Sequence, residues 1–380
     1  MVRQAYRMRH SLGLLLFFSP LFVVAQGINL GTINYAPTFV TNLSAPYNES
    51  SGLVFLNDTI YSINDSGNTP AVHALLSSDG SHVHSWTVSN AQNQDWEAMT
   101  QNSTHLFIAD VGNNMGTRTA LDIYVIPKEE LITANTALSS QKQSFKLAGQ
   151  PTTGLQMNAH NFDCEALFYW QDSLHLFTKN WENLWTKHYV LPTTWQDTLV
   201  VSAQDSFDVN GLITDAVIDS ALHQMFLLGY KKEPSGLYSA FMYRFASQST
   251  SFFDGDYQRI ELGSTLTLAQ TEGICVSGAA QGFISGEKIT SILTIAPKLH
   301  QFDFSTLTSG PTLDAPPIYF HEHILYIPKD LLKDFELIDT SGRNVIDWQL
   351  GKNHQDLGHL KPGSYFLIGP NYRRTWVKTS

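Results

Sequence analysis

Asp163-Cys164-Glu165-Ala166-Leu167 and Asp95-Trp96-Glu97-Ala98-Met99 are two copies of one short phrase. Looser copies are Asn48-Glu49-Ser50-Ser51-Gly52, Thr214-Asp215-Ala216-Val217 and Thr271-Glu272-Gly273-Ile274. Each copy sets a polar residue and an acid ahead of a small residue and an apolar run. The acids stand at 49, 97, 165, 215 and 272, so the gaps are 48, 68, 50 and 57 residues. A second apolar strand follows each copy after a polar turn, at 60–63, 106–109, 174–177, 224–228 and 281–284. Units near this size with several short strands fit the blades of a β-propeller. Each phrase is read as opening the innermost strand of a blade and aiming its acid at the central channel.

The spacing also counts the blades. The 33 residues from Glu272 to Ser305 and the 21 from Ile28 to Glu49 make one more interval of the same size. The strand around residues 28–35 is therefore expected to complete the last blade and close the ring. This gives five blades, and a sixth requires one degenerate unit. The texture agrees. Alternating runs such as Thr59-Ile60-Tyr61-Ser62-Ile63 end at turn clusters such as Asp65-Ser66-Gly67-Asn68 and Ser78-Asp79-Gly80. The fold class is all-β: a five-bladed β-propeller over 26–305, then a small C-terminal β-sandwich.

Residues 1–25 stand apart from the fold. Arg3, Arg7 and Arg9 precede 13 mostly apolar residues, 12–24, and Ala25 is small. That is the pattern of a secretory signal peptide, and the apolar run is short of the roughly 20 residues that span a bilayer. The expected location is secreted or cell surface, with no membrane-spanning segment. Residues 306–317 are rich in Pro, Gly and Thr without apolar period and read as a linker. Residues 318–380 carry short strand runs and form the second unit.

Charge excludes some partners. Residues 26–317 hold 27 acids against 12 Lys and Arg, net −15, while 318–380 have net +1. Nucleic-acid binding needs a basic stripe, and none is present. An acidic surface favours solubility and attracts cations. Two cysteines, Cys164 and Cys275, sit beside copies of the phrase in non-adjacent units. Such separation favours buried free thiols over a disulfide.

The C-terminal unit resembles a family. Phe335-Glu336-Leu337-Ile338-Asp339-Thr340-Ser341-Gly342-Arg343-Asn344-Val345, Leu360-Lys361-Pro362-Gly363-Ser364-Tyr365-Phe366 and the closing basic strand with Lys378 are similar to the type A C-terminal sorting domain of the type IX secretion system. The resemblance covers residues 318–380 and implies a Bacteroidetes protein, export by the type IX secretion machinery, and removal of this domain at or near the cell surface. The family's opening Pro-Asn-Pro is absent; Phe320-His321-Glu322-His323 stands there instead. The first unit resembles the uncharacterised propellers that often precede this domain. Asp95-Trp96-Glu97-Ala98, Phe107-Ile108-Ala109-Asp110-Val111-Gly112-Asn113-Asn114, Arg118 and Asp122-Ile123-Tyr124 carry that likeness, which implies a fold and no settled activity.

Chemistry is expected at one end of the channel. Adjacent antiparallel strands place the start of one beside the end of the next. The candidate metal ring is Glu49, Glu97, Glu165, Asp215 and Glu272. The candidate ligand-binding companions at the channel mouth are Asp65, Asp110, Lys179 and Tyr230, with Glu287, and Arg118 as a further cation. Converging carboxylates raise one another's pKa, and a hard cation relieves them. Calcium, with about six to eight oxygen ligands, suits such a ring. Five-bladed calcium-dependent nucleotidases of the apyrase kind hold an ion in this place, and the chain is similar to them in layout only. The alternative duty is structural: each acid accepts backbone N–H groups of the neighbouring blade and fastens the ring. Three functions follow: a binding or scaffold module whose acid mouth, with calcium, orients a small polar ligand; a calcium-dependent phosphohydrolase of the apyrase or phytase-like kind using Lys179 or Arg118; and a surface adhesin binding glycan or protein. The chain has no Gly-x-Ser-x-Gly, His-Glu-x-x-His, Walker or Rossmann motif.

Overall fold

A computed structural model describes residues 27–246, 252–290, 294–305 and most of 319–378. The signal peptide expected over 1–25 and the linker expected over 306–317 lie outside the described residues.

Five antiparallel sheets form the propeller. Their innermost strands are Ser50–Leu56, Trp96–Gln101, Cys164–Trp170, Leu212–Asp219 and Gln270–Gly278, which define blades 1 to 5. These strands neighbour one another in cyclic order, and that of blade 5 returns to blade 1. Tight turns set the first hairpins. Asn57-Asp58 in blade 1 and Gln171-Asp172 in blade 3 all take left-handed φ between 45° and 58°, the two-residue loop whose twist matches its strands.

Period-2 alternation gives each sheet two apolar faces, and the faces meet between blades. Five buried clusters fill the five interfaces. Val54 and Trp96 belong to the cluster of blades 1 and 2, Phe107 and Leu176 to that of 2 and 3, and Phe168 and Phe241 to that of 3 and 4. Phe226 and Phe302 lie between blades 4 and 5, and Leu53 and Phe283 between 5 and 1. Each such side chain contributes about 1.5–3 kcal/mol on burial. Cys164 and Cys275 are buried and unpaired within these interfaces.

The closing strand is Thr38–Asn42, antiparallel to Lys298–Asp303 in blade 5. The expected closing stretch, 28–35, does something else. Its strand Asn29–Asn34 lies parallel to Tyr257–Ser264 and covers the outer edge of blade 4. Pro37 separates the two pieces, since proline lacks the N–H that would extend the first pairing. Tyr35 spans the gap: its N–H bonds Glu261 O at 2.9 Å, and its hydroxyl accepts from Asp303 N at 2.8 Å. Blades 1 and 2 also gain parallel edge strands, Ala137–Leu138 and Leu199–Val201, donated by later chain. Covered edges do not offer unpaired backbone to other molecules.

The C-terminal stretch folds as two three-stranded sheets around buried Leu325, Phe335, Leu337, Leu367 and Trp376. Among the described residues no helix is long and apolar enough to cross a membrane.

Candidate functional site

Each inner strand carries one extra residue at the same place. The pairing skips Gly52, Glu97, Glu165, Thr214 and Glu272 in blades 1 to 5. A β-bulge leaves its extra residue unpaired and re-aims the side chain. This shared bulge fixes the register among blades. Glu97, Glu165 and Glu272 occupy equivalent positions, and Gly52 and Thr214 complete the level. Gly52 is required there: its φ is +45°, and a Cβ would lie 2.5 Å from Met99 N of blade 2.

Two acids of the expected ring are out of this register. Asp215 follows the bulge by one residue. Its carboxylate accepts from Ala216 N and Ile274 N, both at 2.8 Å, so it fastens blade 4 to blade 5. Glu49 lies three residues ahead of the bulge, exposed on the rim, where its carboxylate accepts from the Asn68 amide. Hydroxyls share the fastening. Ser51 donates to Glu97 O and Thr214 to Thr271 O at 2.8 Å. The bulge glutamates are thereby left to one another and to Lys179.

Lys179 is the ammonium among them. Its Nζ lies 3.1 Å from Glu165 Oε2, 5.2 Å from the Trp181 ring and 5.3 Å from the Tyr230 ring. By register Lys179, Tyr230 and Glu287 hold one position in blades 3 to 5, where blades 1 and 2 have Asn64 and Val111. Burial works against the Lys179 charge, yet Glu165, Tyr230, Glu272 and Glu97 outweigh it and hold its pKa well above the usual range. Burial pushes Glu97, Glu165 and Glu287 well up, and Glu272 to about 7. These directions agree once charge is counted: one ammonium stays charged while the surplus carboxyls take up protons. After burial and Asp65, the neighbouring Glu165 raises Glu97 further, as close carboxyls do. Gln270 donates to Glu272 at 2.7 Å and to Glu287 at 2.5 Å. Glu272 Oε2 is buried without a partner among the described residues.

A carboxylate triad lies beside this group. Asp65, Asp95 and Glu97 each bring an oxygen to within 4.8 Å of the others. Burial and then Asp65 raise Asp95 to about 7. Gly112 makes the space, because a Cβ there would come 2.3 Å from Glu97 Oε1 and 2.5 Å from Asp95 Oδ2. Asp95 is absent from the ring expected from sequence, although it stands two residues ahead of Glu97, the spacing that shares one face of a strand.

Asp110 turns away from the channel. It is bonded by Arg118 at 2.7 Å and accepts from Asp95 N at 3.0 Å, so both Asp110 and Arg118 brace the loop that carries Asp95. Asp163 braces too, accepting from Asn113 N at 2.5 Å and the Trp181 indole at 2.7 Å. His160 is buried, with its nitrogens bonded to Asn114 O and Phe162 N. A cavity of about 570 Å³ opens at the far ends of the inner strands. Its one charged lining residue, Asp219, is already bonded to Ala221 N and Ala280 N. The titratable groups of the channel therefore gather at the acid end.

No family model matches the sequence, and no curated protein matches it. Among solved structures the chain is similar to an exo-β-1,3-galactanase from Phanerochaete chrysosporium, at 13% identity and TM-score 0.44 over 71% of this chain and 65% of that one. The chain thus spans just under two thirds of the galactanase. It is also similar to a GH43 β-1,3-galactosidase, at 9% identity and TM-score 0.44 over 73% of this chain and 97% of that one. A third is the catalytic domain of a GH62 α-L-arabinofuranosidase from Coprinopsis cinerea, at 10% identity and TM-score 0.41 over 73% and 98%. Likeness at this level carries no chemistry across, and the five-bladed ring rests on the strand pairing itself.

Proposed function

We propose that this is an exported propeller that binds a small polar ligand at its acid mouth, with a hard divalent cation, calcium by its chemistry, held on Asp65, Asp95 and Glu97. One observation carries the reading: three carboxylates converge within 4.8 Å around space that Gly112 keeps open. Lys179, the ammonium among the bulge glutamates, would then meet an anionic or polar group of the ligand. The phosphohydrolase reading is weaker than the sequence suggested, because Arg118 is committed to Asp110 and leaves Lys179 as the buried cation of the mouth. Export rests on the leader pattern and on the resemblance of 318–380 to the sorting domain.

Calcium added to EDTA-treated protein is expected to raise the melting temperature, and Asp95→Asn is expected to abolish the rise. No shift in the parent protein removes the cation from the proposal.

A further inference from the structure

A polar cavity of about 290 Å³ lies in blade 1, lined by Asn48, Glu49, Asn64, Asn68, Thr69 and His73 together with the Ala45-Pro46 turn. It adjoins the acid mouth through Glu49, whose charge acts on Asp65. Asn64 occupies the ring position held elsewhere by Lys179, Tyr230 and Glu287, but here the residue serves a separate recess.

The orientation of Asn64 is determined by its partners. Its Nδ2 donates to Pro46 O at 2.8 Å and to His73 Nε2 at 3.3 Å. His73 Nδ1 therefore carries the ring proton and donates to Ser85 Oγ at 2.7 Å. Burial and then His82 lower His73 to about 4, so the ring is neutral at ordinary pH. Asn64 is 9% exposed, and its Oδ1 has no partner among the described residues. A buried amide oxygen of this kind is satisfied by a donor from outside the chain, a water or a ligand group.

We infer that this recess is a subsite for a neutral hydroxyl-rich group, a sugar ring or an open-chain polyol. The lining has no Lys or Arg and has Glu49 at its rim, so phosphate and carboxylate are disfavoured. An ammonium only donates, whereas hydroxyls both donate and accept, which matches a lining of amides and a hydroxyl from Asn48, Asn64 and Thr69. The recess deepens the reading of the mouth as a ligand site by naming the chemistry of one part of the ligand. It does not require the cation.

The test is saturation-transfer NMR on the full chain in EDTA, with glucose, galactose and sorbitol as probes and 1,4-diaminobutane as the amine arm. Transfer is expected to at least one polyol, with affinity at least tenfold weaker in Asn64→Ala. Thr69→Trp plugs the opening from an exposed position, so it keeps the test valid where the first variant fails to fold. It is expected to abolish transfer while retaining the calcium-induced melting shift. The inference is overturned by absence of transfer to all three polyols, by transfer undiminished in the plugged variant, or by stronger transfer to the diamine than to every polyol. A protein that ignores calcium but binds polyol would end the cation reading and leave this subsite standing.

Discussion

Blades 2 and 3 open their inner strands with the phrase in its strict form, Asp95-Trp96-Glu97-Ala98 and Asp163-Cys164-Glu165-Ala166, and in each the glutamate is the bulged residue. The aspartates part company. Asp163 is fully buried and bonded by the Asn113 N–H and the Trp181 indole. Among the described residues no such donor reaches the Asp95 carboxyl; it faces Asp65 and Glu97 and is pushed up to about 7 by burial. The glutamates differ as well, since Glu165 has Lys179 at 3.1 Å while Glu97 leans on Glu165. The same residues at the same bulge become a bonded brace or an open cluster of carboxyls according to what the adjoining loops supply. In blade 3 the loop after the second strand supplies a lysine and a tryptophan. In blade 2 it supplies Gly112, which makes room.

The largest expected effect comes from removing what blade 3 has and blade 2 lacks. Lys179→Met leaves Glu165 and its neighbours without their ammonium and is expected to cost about 3–5 kcal/mol in urea denaturation at pH 8 in EDTA. A loss below about 1 kcal/mol would mean that Lys179 does not hold the carboxyls together. Next, the two aspartates are exchanged for asparagine. Asp163→Asn is expected to cost about 1–3 kcal/mol through its buried donors while the calcium response persists. Asp95→Asn is expected to change stability by less than about 1 kcal/mol and to remove the calcium response. The reverse pattern breaks the distinction between brace and ligand.

The smallest effect is on pH dependence. Asp95 and Glu272 are both raised to about 7, against about 3.9 and 4.3 for free side chains. Between those values the folded chain binds more protons than the unfolded one, so stability falls as pH rises through that window and levels off above it. In EDTA the melting temperature is expected to drop by a few degrees between pH 5 and 8, with a shallower fall in Asp95→Asn and after calcium is added. A profile that rises over this range would contradict a surplus of protonated carboxyls.

The ring was legible because its signal repeats: five phrases mark five inner strands, and the strands that follow them pair as expected. The register at the channel was less so. Sequence shows charge, and the acids at 49 and 215 looked equivalent to those at 97, 165 and 272. The bulge that sets equivalence falls on Gly52 and Thr214 in those blades, and neither residue carries charge. Counting along the strand puts Asp110 at the mouth, but Val111 holds that position; Arg118, expected there as a further cation, is paired with Asp110 instead. The closing strand was misplaced for a related reason. Two neighbouring segments are both good strands, and only Pro37 hints that they part.

The closing pair has a consequence in time. Thr38 and Gln301 are about 260 residues apart, so blade 5 cannot be completed until nearly the whole propeller has been made. At roughly 5–20 residues per second the early strand waits on the order of 10–50 s for its partner. During that wait residues 38–42 are a loose end with strand-forming backbone, and contacts this remote fold slowly. The ring behaves as a necklace whose clasp is on the first piece strung: trimming the chain past residue 42 would leave the fifth blade permanently open and strip the outer edge strand from the fourth.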